Sequence, residues 1–268
     1  MEHAQAKRLV AALSTPTGAV NPWIVGARGW FLVLLTIWFC LLALFHAVPQ
    51  IDIAIANTFF YEFSCLNSDL PGRICGEFPR SADALLQLGR RILFYMPVFF
   101  AVVVLIVLVR NLQHHGATYC ANRTKQCWIA LVTLVTGPYL LVNLILKSVS
   151  GRPRPYETDM FGGDKLFAAA GSFDGSCYNN CSFISGEAAG AGWVACLIVF
   201  VPAQFRPLVA PPLIIVTLIS PALRVSFGGH YFSDALLGFL SSAVVYAGVT
   251  AYFEMTQAEK KRAHSTVL

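Results

Sequence analysis

Six stretches of this chain stay apolar for about the length that crosses a bilayer: about 28–48, 92–109, 127–146, 188–205, 207–223 and 234–253. A helix spanning the hydrocarbon layer needs roughly 20 predominantly apolar residues. Only a structure that satisfies every backbone polar group internally is stable there. With 56% hydrophobic and 12% charged residues the chain is too apolar for an ordinary soluble domain. The pattern predicts an all-α integral membrane protein with six transmembrane helices, one domain over 1–268, and outer loops about 49–91, 147–187 and 224–233. The fifth stretch opens P-L-V-A-P-P, but proline is tolerated in a first helical turn, where N–H groups have no intrahelical partner. The first apolar run exceeds the roughly 7–15 residues of a secretory signal, and more spans follow, so it reads as a retained helix.

Charge orients the helices. With both termini cytoplasmic, ten of the nineteen Lys and Arg lie inside, among them Lys7, Arg8, Arg110, Arg123, Lys125 and Arg206, and nine lie outside. Four of the outer nine, Lys147, Arg152, Arg154 and Arg224, belong to motifs that give them another reason to be there. Ten against five then favours the N-in, C-in orientation. The terminal Lys260-Lys261-Arg262 reads as a solvated anchor. In this arrangement Cys65 and Cys75 share one outer loop and Cys177 and Cys181 another, and even pairs on an oxidising face suggest disulfides. Four unpaired thiols is the alternative, because spacing does not fix connectivity.

The outer loops also collect the chemistry. In L-I-L-K-S-V-S-G-R-P-R-P-Y, Lys147, Arg152 and Arg154 fall within eight residues, and Gly151, Pro153 and Pro155 prevent a continuous helix. A stiff loop can aim several cations at one point, although each alone could simply snorkel from a helix end. In A-L-R-V-S-F-G-G-H-Y-F-S-D-A, Gly228-Gly229 breaks the helix before His230, and Ser233 and Asp234 suit the start of the next one. If that turn is helical, His230 and Asp234 stand at i and i+4, where the carboxylate would fix the imidazole tautomer. In S-F-I-S-G-E-A-A-G-A-G, Ser185, Gly186 and Glu187 open a helix whose free amides suit an anion. Converging with Lys147, Arg154 and Arg224, they would cage a phosphate, whose oxygens arginine binds bidentately.

Together these segments resemble the type 2 phosphatidic acid phosphatase superfamily, whose pattern is Lys, six residues, Arg-Pro; Pro-Ser-Gly-His; then Ser-Arg, five residues, His, three residues, Asp. Lys147 with Arg154-Pro155 matches the first element in full. Arg224, His230 and Asp234 match the third, with Leu223 in place of Ser. Ile184-Ser185-Gly186-Glu187 keeps only Ser-Gly of the second and most resembles the bacterial lipid A phosphatase branch.

The resemblance implies a metal-independent phosphoric monoester hydrolase of the bacterial inner membrane, with a periplasmic active site and no cofactor. His230 would be the nucleophile that forms a phosphohistidine and Asp234 its orienting partner. Lys147, Arg154, Arg224, Ser185 and Gly186 would hold the phosphate. The remaining histidines, His3, His46, His114, His115 and His264, form no ligand constellation for zinc, and no magnesium site is written here.

Three roles are open to Glu187, where the family has histidine: a helix cap favoured by the dipole, a proton-bearing acid or base, or a clamp on Arg224 or Lys147. The implied partners are the bilayer and a phosphorylated lipid rather than nucleic acid. About 30 residues between the first two motifs, with F-G-G-D-K-L-F and C-Y-N-N-C, would cap a bulky head group such as that of lipid A. The aromatic residues around 54–63 suit the membrane interface or a core equally. Undecaprenyl diphosphate, phosphatidate and phosphatidylglycerol phosphate are the alternative substrates, and a non-catalytic lipid-phosphate binder or transporter is the alternative class.

Overall fold

The computed structural model describes residues 26–65 and 74–265; Lys7, Arg8, His3 and Arg73 lie outside them. The helices are α1 (Ala27–Ala47), α2 (Gln50–Asn57), α3 (Ala84–Gln113), α4 (Ala121–Leu134), α5 (Gly186–Cys196), α6 (Arg206–Ser226) and α7 (Phe232–Ser265). From α4 the chain continues through a π-helical stretch, Val135–Leu146, into Lys147–Val149. A hairpin of β1 (Tyr61–Glu62) and β2 (Gly76–Glu77), paired antiparallel, fills the connection from α2 to α3. The protein is a multi-pass membrane protein, and its long helices expose the apolar side chains that lipid requires, such as Leu88, Ile92, Phe99 and Val102 on α3.

Five helices are long and apolar enough to span a bilayer: Ala27–Ala47, Ala84–Gln113, Ala121–Val149, Ala203–Ser226 and Phe232–Glu259. The expected span at 188–205 is instead the shorter apolar helix Gly186–Phe200, so a count of six holds only if that helix is included. Its last turn tightens to a 3₁₀ helix at Leu197–Phe200 and the chain breaks at Val201-Pro202, because proline offers no N–H to continue the ladder. The expected outer loop at 49–91 also contains α2 and the first two turns of α3.

The short helix is central. Residues Ala188 to Val194 of α5 are all buried. Small side chains let α7 approach closely, since a Cβ on Gly192 would strike the Phe239 carbonyl and one on Gly238 would strike that of Ser185. Side-chain bonds to backbone oxygens then lock the packing, and each satisfies a polar group where water is excluded. Ser242 Oγ donates to Ala189 O at 2.6 Å, Trp193 Nε1 to Ala130 O at 2.7 Å, and Trp38 Nε1 to Leu237 O at 3.0 Å.

This packing yields a test. Gly192→Ala should destabilise the protein by about 1–3 kcal/mol through overpacking. Gly89→Ala, which meets nothing within 4 Å, should leave stability unchanged or slightly raised. Thermal unfolding of both variants in one detergent would show the difference, and equal melting temperatures would contradict the packing described.

Candidate active site

Three chain segments meet at one end of the helices. Tyr156 N donates to Gly228 O at 3.2 Å and Ser182 N to Arg152 O at 2.8 Å, while Ser185 N donates to Asp234 O at 3.0 Å. The 147–157 segment, the start of α5 and the α6–α7 connection are thereby held together. Glu157 fixes the turn from which Arg154 projects, accepting from the Arg154 amide at 2.8 Å and from Lys165 Nζ at 2.9 Å.

His230 is buried among these segments. Its Nδ1 lies 2.8 Å from the Ser182 carbonyl, which can only accept, so Nδ1 carries the hydrogen and Nε2 keeps a lone pair. Burial, and then the positive charges of Arg224, Lys147 and Arg154, hold its pKa well below the ordinary value of 6.5. The ring is therefore neutral at neutral pH. The same three cations are those that the motifs assigned to phosphate.

The relation between His230 and Asp234 differs from the expected direct contact. Helix α7 begins only at Phe232, so His230 lies outside it, and Asp234 Oδ2 is 4.0 Å from Nδ1. Asp234 instead accepts from Ser182 Oγ at 2.6 Å and from the Tyr231 amide at 3.0 Å. The latter bond reaches back across the first turn as a capping-box acid does. Asp234 thus orients His230 through Ser182, whose carbonyl holds the ring and whose hydroxyl holds the carboxylate.

Behind Asp234 lies an arginine that the motif reading left out of the site. Arg152 is fully buried and donates to Asp234 Oδ1 at 2.5 Å, Asp52 Oδ2 at 2.8 Å, Ser233 Oγ at 2.9 Å and Ala168 O at 2.9 Å. Its guanidinium stacks 4.3 Å over the Tyr231 ring. Burial alone would lower its pKa, but Asp234 and Asp52 raise it above the ordinary value, so its charge is permanent. Asp52, buried on α2, also accepts from Ser233 N at 2.8 Å and Ser233 Oγ at 2.5 Å. The lone acid in I-D-I-A-I-A was the available signal for it.

Glu187 sits in the first turn of α5, where two cations grip it. Arg90, on α3, donates from Nη2 to Oε1 at 2.5 Å and from Nε to Oε2 at 3.1 Å. Arg224 Nε lies 3.4 Å from Oε1, without hydrogen-bond geometry, and is among the few buried side-chain atoms of the described residues left without a partner. Its guanidinium packs on Gly229, where a Cβ would come within 2.7 Å of Cζ. Arg90 was legible only as half of an Arg-Arg pair at the head of an apolar run.

Two of the expected phosphate ligands also have structural tasks. Ser185 is fully buried and caps α5, its hydroxyl oxygen accepting from Ala188 N at 3.4 Å, so it shapes the helix opening. Gly186 is needed because the Asn143 side chain lies against it, leaving no room for a Cβ. Lys147 Nζ and Arg154 Nη2 both reach Asn180, at 3.3 Å to Oδ1 and 3.1 Å to the backbone oxygen. Cys177 and Cys181 are joined in a disulfide beside this contact, and Cys65 and Cys75 in another at the hairpin.

The PAP2 superfamily pattern matches residues 126–258, the stretch that carries all three motifs. The lipid A 4'-phosphatase of Rhizobium leguminosarum is 48% identical over 229 residues, which is 85% of this chain and 98% of that protein. Those of Rhizobium etli and Francisella tularensis subsp. novicida are 46% and 29% identical, over 87% and 81% of this chain and 90% and 95% of theirs. The crystal structure of a PAP2 type phosphatidylglycerolphosphate phosphatase from Bacillus subtilis shares the fold, with a TM-score of 0.53 at 17% identity over 84% of this chain and 96% of that one. The chain belongs to the PAP2 superfamily.

The histidine geometry can be checked directly. At pH 6.5, where an ordinary histidine is half protonated, nitrogen NMR of selectively labelled protein should show His230 neutral with its hydrogen on Nδ1. A ring that titrates near 6.5, or one protonated on Nε2, would contradict this environment. The sign for stability follows. A histidine buried neutral opposes protonation that the unfolded chain accepts, so stability should fall as pH drops below 6.5 towards the lowered folded-state value.

Proposed function

We propose that the chain is a phosphoric monoester hydrolase that removes a phosphate from a membrane lipid, the 4'-phosphate of lipid A. The observation that carries this is His230: its Nδ1 hydrogen is committed to Ser182, and its Nε2 lone pair is left for attack beside three cations. Relatives named lipid A 4'-phosphatase, 46–48% identical over most of the chain, support the substrate. An apolar groove of about 610 Å³ supports a lipid. Leu93, Pro97, Ala101, Val135 and Tyr139 line it together with Gly186 and Glu187, so an acyl chain lying there would bring its head group to the site.

In this mechanism Nε2 attacks phosphorus as the bond to the sugar oxygen breaks, the phosphoryl group passes to His230, and the departing sugar oxygen takes a proton from solvent water. Arg224, Lys147 and Arg154 offset the charge on the non-bridging oxygens, and the Nδ1–H···O bond to Ser182 steadies the ring as it becomes positive. Water then cleaves the nitrogen–phosphorus bond. Asp234, with Arg152 and Asp52 behind it, positions Ser182 and so His230.

Of the three roles open to Glu187, the clamp is the one its contacts favour. Both Glu187 oxygens accept from Arg90 and Arg224 lies beside them, and these paired charges offset the repulsion of phosphate. Glu187 then aims Arg224 rather than carrying a proton.

We also propose one membrane domain with both termini cytoplasmic and the site facing the periplasm of a bacterial inner membrane. Two disulfides lie towards the site end, and Arg110, Arg123, Lys125 and Arg206 lie near the other ends of their helices.

Phosphate release from detergent-solubilised protein, measured with chelator across lipid A, undecaprenyl diphosphate, phosphatidate and phosphatidylglycerol phosphate, should be fastest with lipid A and absent in His230→Ala. Release that needs a metal, or that survives His230→Ala, would contradict this mechanism. No His230-dependent release from any of the four would favour a lipid-phosphate binder. As a clamp, Glu187→Gln should retain turnover reduced by about tenfold, roughly 1.4 kcal/mol of transition-state stabilisation, with its pH profile unchanged in shape. Arg90→Ala should cost a similar amount, and the double variant little more, because the two residues act as a unit. Complete loss of turnover in Glu187→Gln, with one limb of the pH profile gone, would instead mark an acid or base.

A further inference from the structure

Lys147 and Arg154 are the two cations of the first motif, and in the structure one residue already meets both. Asn180 Oδ1 accepts from Lys147 Nζ at 3.3 Å and Asn180 O from Arg154 Nη2 at 3.1 Å. Asn180 is exposed at the mouth of the site, in a left-handed backbone conformation with φ 49° that asparagine tolerates better than most residues. The Cys177–Cys181 disulfide brackets it. The loop flanks are tied to the cation-bearing segment: Cys177 N donates to Gly151 O at 2.8 Å, Cys181 N to Lys147 O at 3.3 Å and Ser182 N to Arg152 O at 2.8 Å. The backbone of Asn180 is therefore anchored at the site, while its exposed side chain is free to rotate away.

We propose that Asn180 is a specificity-determining residue of the phosphate site, whose side-chain oxygen is a neutral placeholder on Lys147 that the phosphate of the substrate displaces. The proposal rests on the assignment of Lys147 and Arg154 to phosphate binding. The two oxygens have different tasks. The backbone oxygen takes one of the five guanidinium hydrogens and keeps Arg154 aimed at the site, leaving four for an incoming phosphate. The amide oxygen engages Lys147 through a contact beyond the usual range for such bonds. A phosphate oxygen, charged and able to approach closer, makes a bond about twice as strong. Exchange therefore favours phosphate but is not free. It sets a threshold that a weakly charged or poorly seated group does not pass.

Two substitutions at this position test it, both compatible with the left-handed backbone. Asn180→Asp keeps the shape and adds a charge that should hold Lys147 and Arg154 against phosphate. KM for the lipid, and the inhibition constant of inorganic phosphate, should each rise about tenfold or more, with kcat at saturation little changed. Asn180→Gly removes the placeholder and leaves the backbone oxygen, so both constants should fall several-fold. Lys147→Met in the same assay should weaken phosphate inhibition. If it does not, the phosphate assignment fails and the placeholder with it. If it does, but Asn180→Gly leaves phosphate inhibition unchanged or weakens it, the assignment stands and the placeholder is overturned.

Discussion

A single buried guanidinium holds this site together. Arg152 has no exposure to water and is shared between two equally buried carboxylates, Asp52 and Asp234. Removing one partner from such a cluster typically costs about 3–5 kcal/mol, because the remaining charge stays buried without compensation. The three residues come from three places: α2, the loop after α4, and the first turn of α7. Their attraction closes the outer loops over the helix ends. The position of His230 follows from that closure, because Asp234 holds Ser182 and Ser182 holds the ring.

A second charge balance surrounds the first. Four cations, Lys147, Arg154, Arg224 and Arg90, gather near one carboxylate, Glu187, and one neutral histidine. The excess of positive charge suits a dense anion. The one acidic residue among them is itself paired: Arg90 takes both oxygens of Glu187, and Arg224 Nε, without a hydrogen-bond partner, lies beside it. Glu187 also lines the groove between α3 and the π-helical stretch after α4, so a lipid lying there would reach the charges from the membrane side.

Much of this was legible from composition and spacing. Apolar length identified the membrane helices, and the glycine and proline breaks marked where cations could gather. The first and third motifs, some 80 residues apart, meet where Lys147, Arg154 and Arg224 all act on His230, and the second joins them through Glu187 beside Arg224. Side-chain partners were less legible because they depend on tertiary contacts without local periodicity. Nothing in the sequence links Asp52 to Arg152, a hundred positions away, or Arg90 to Glu187. The expected i to i+4 contact between His230 and Asp234 required a helix that starts two residues too late. The span at 188–205 was drawn too long because hydropathy does not register the break at Pro202.

The central claim is that His230 becomes phosphorylated. The direct measurement is to quench a reaction with lipid carrying a radioactive 4'-phosphate within the first turnover, then digest the protein and locate the label. An alkali-stable, acid-labile phosphoryl group on the peptide containing His230 is the result expected. Turnover that proceeds at full rate with no label on His230, or with the label on another residue, would contradict the account.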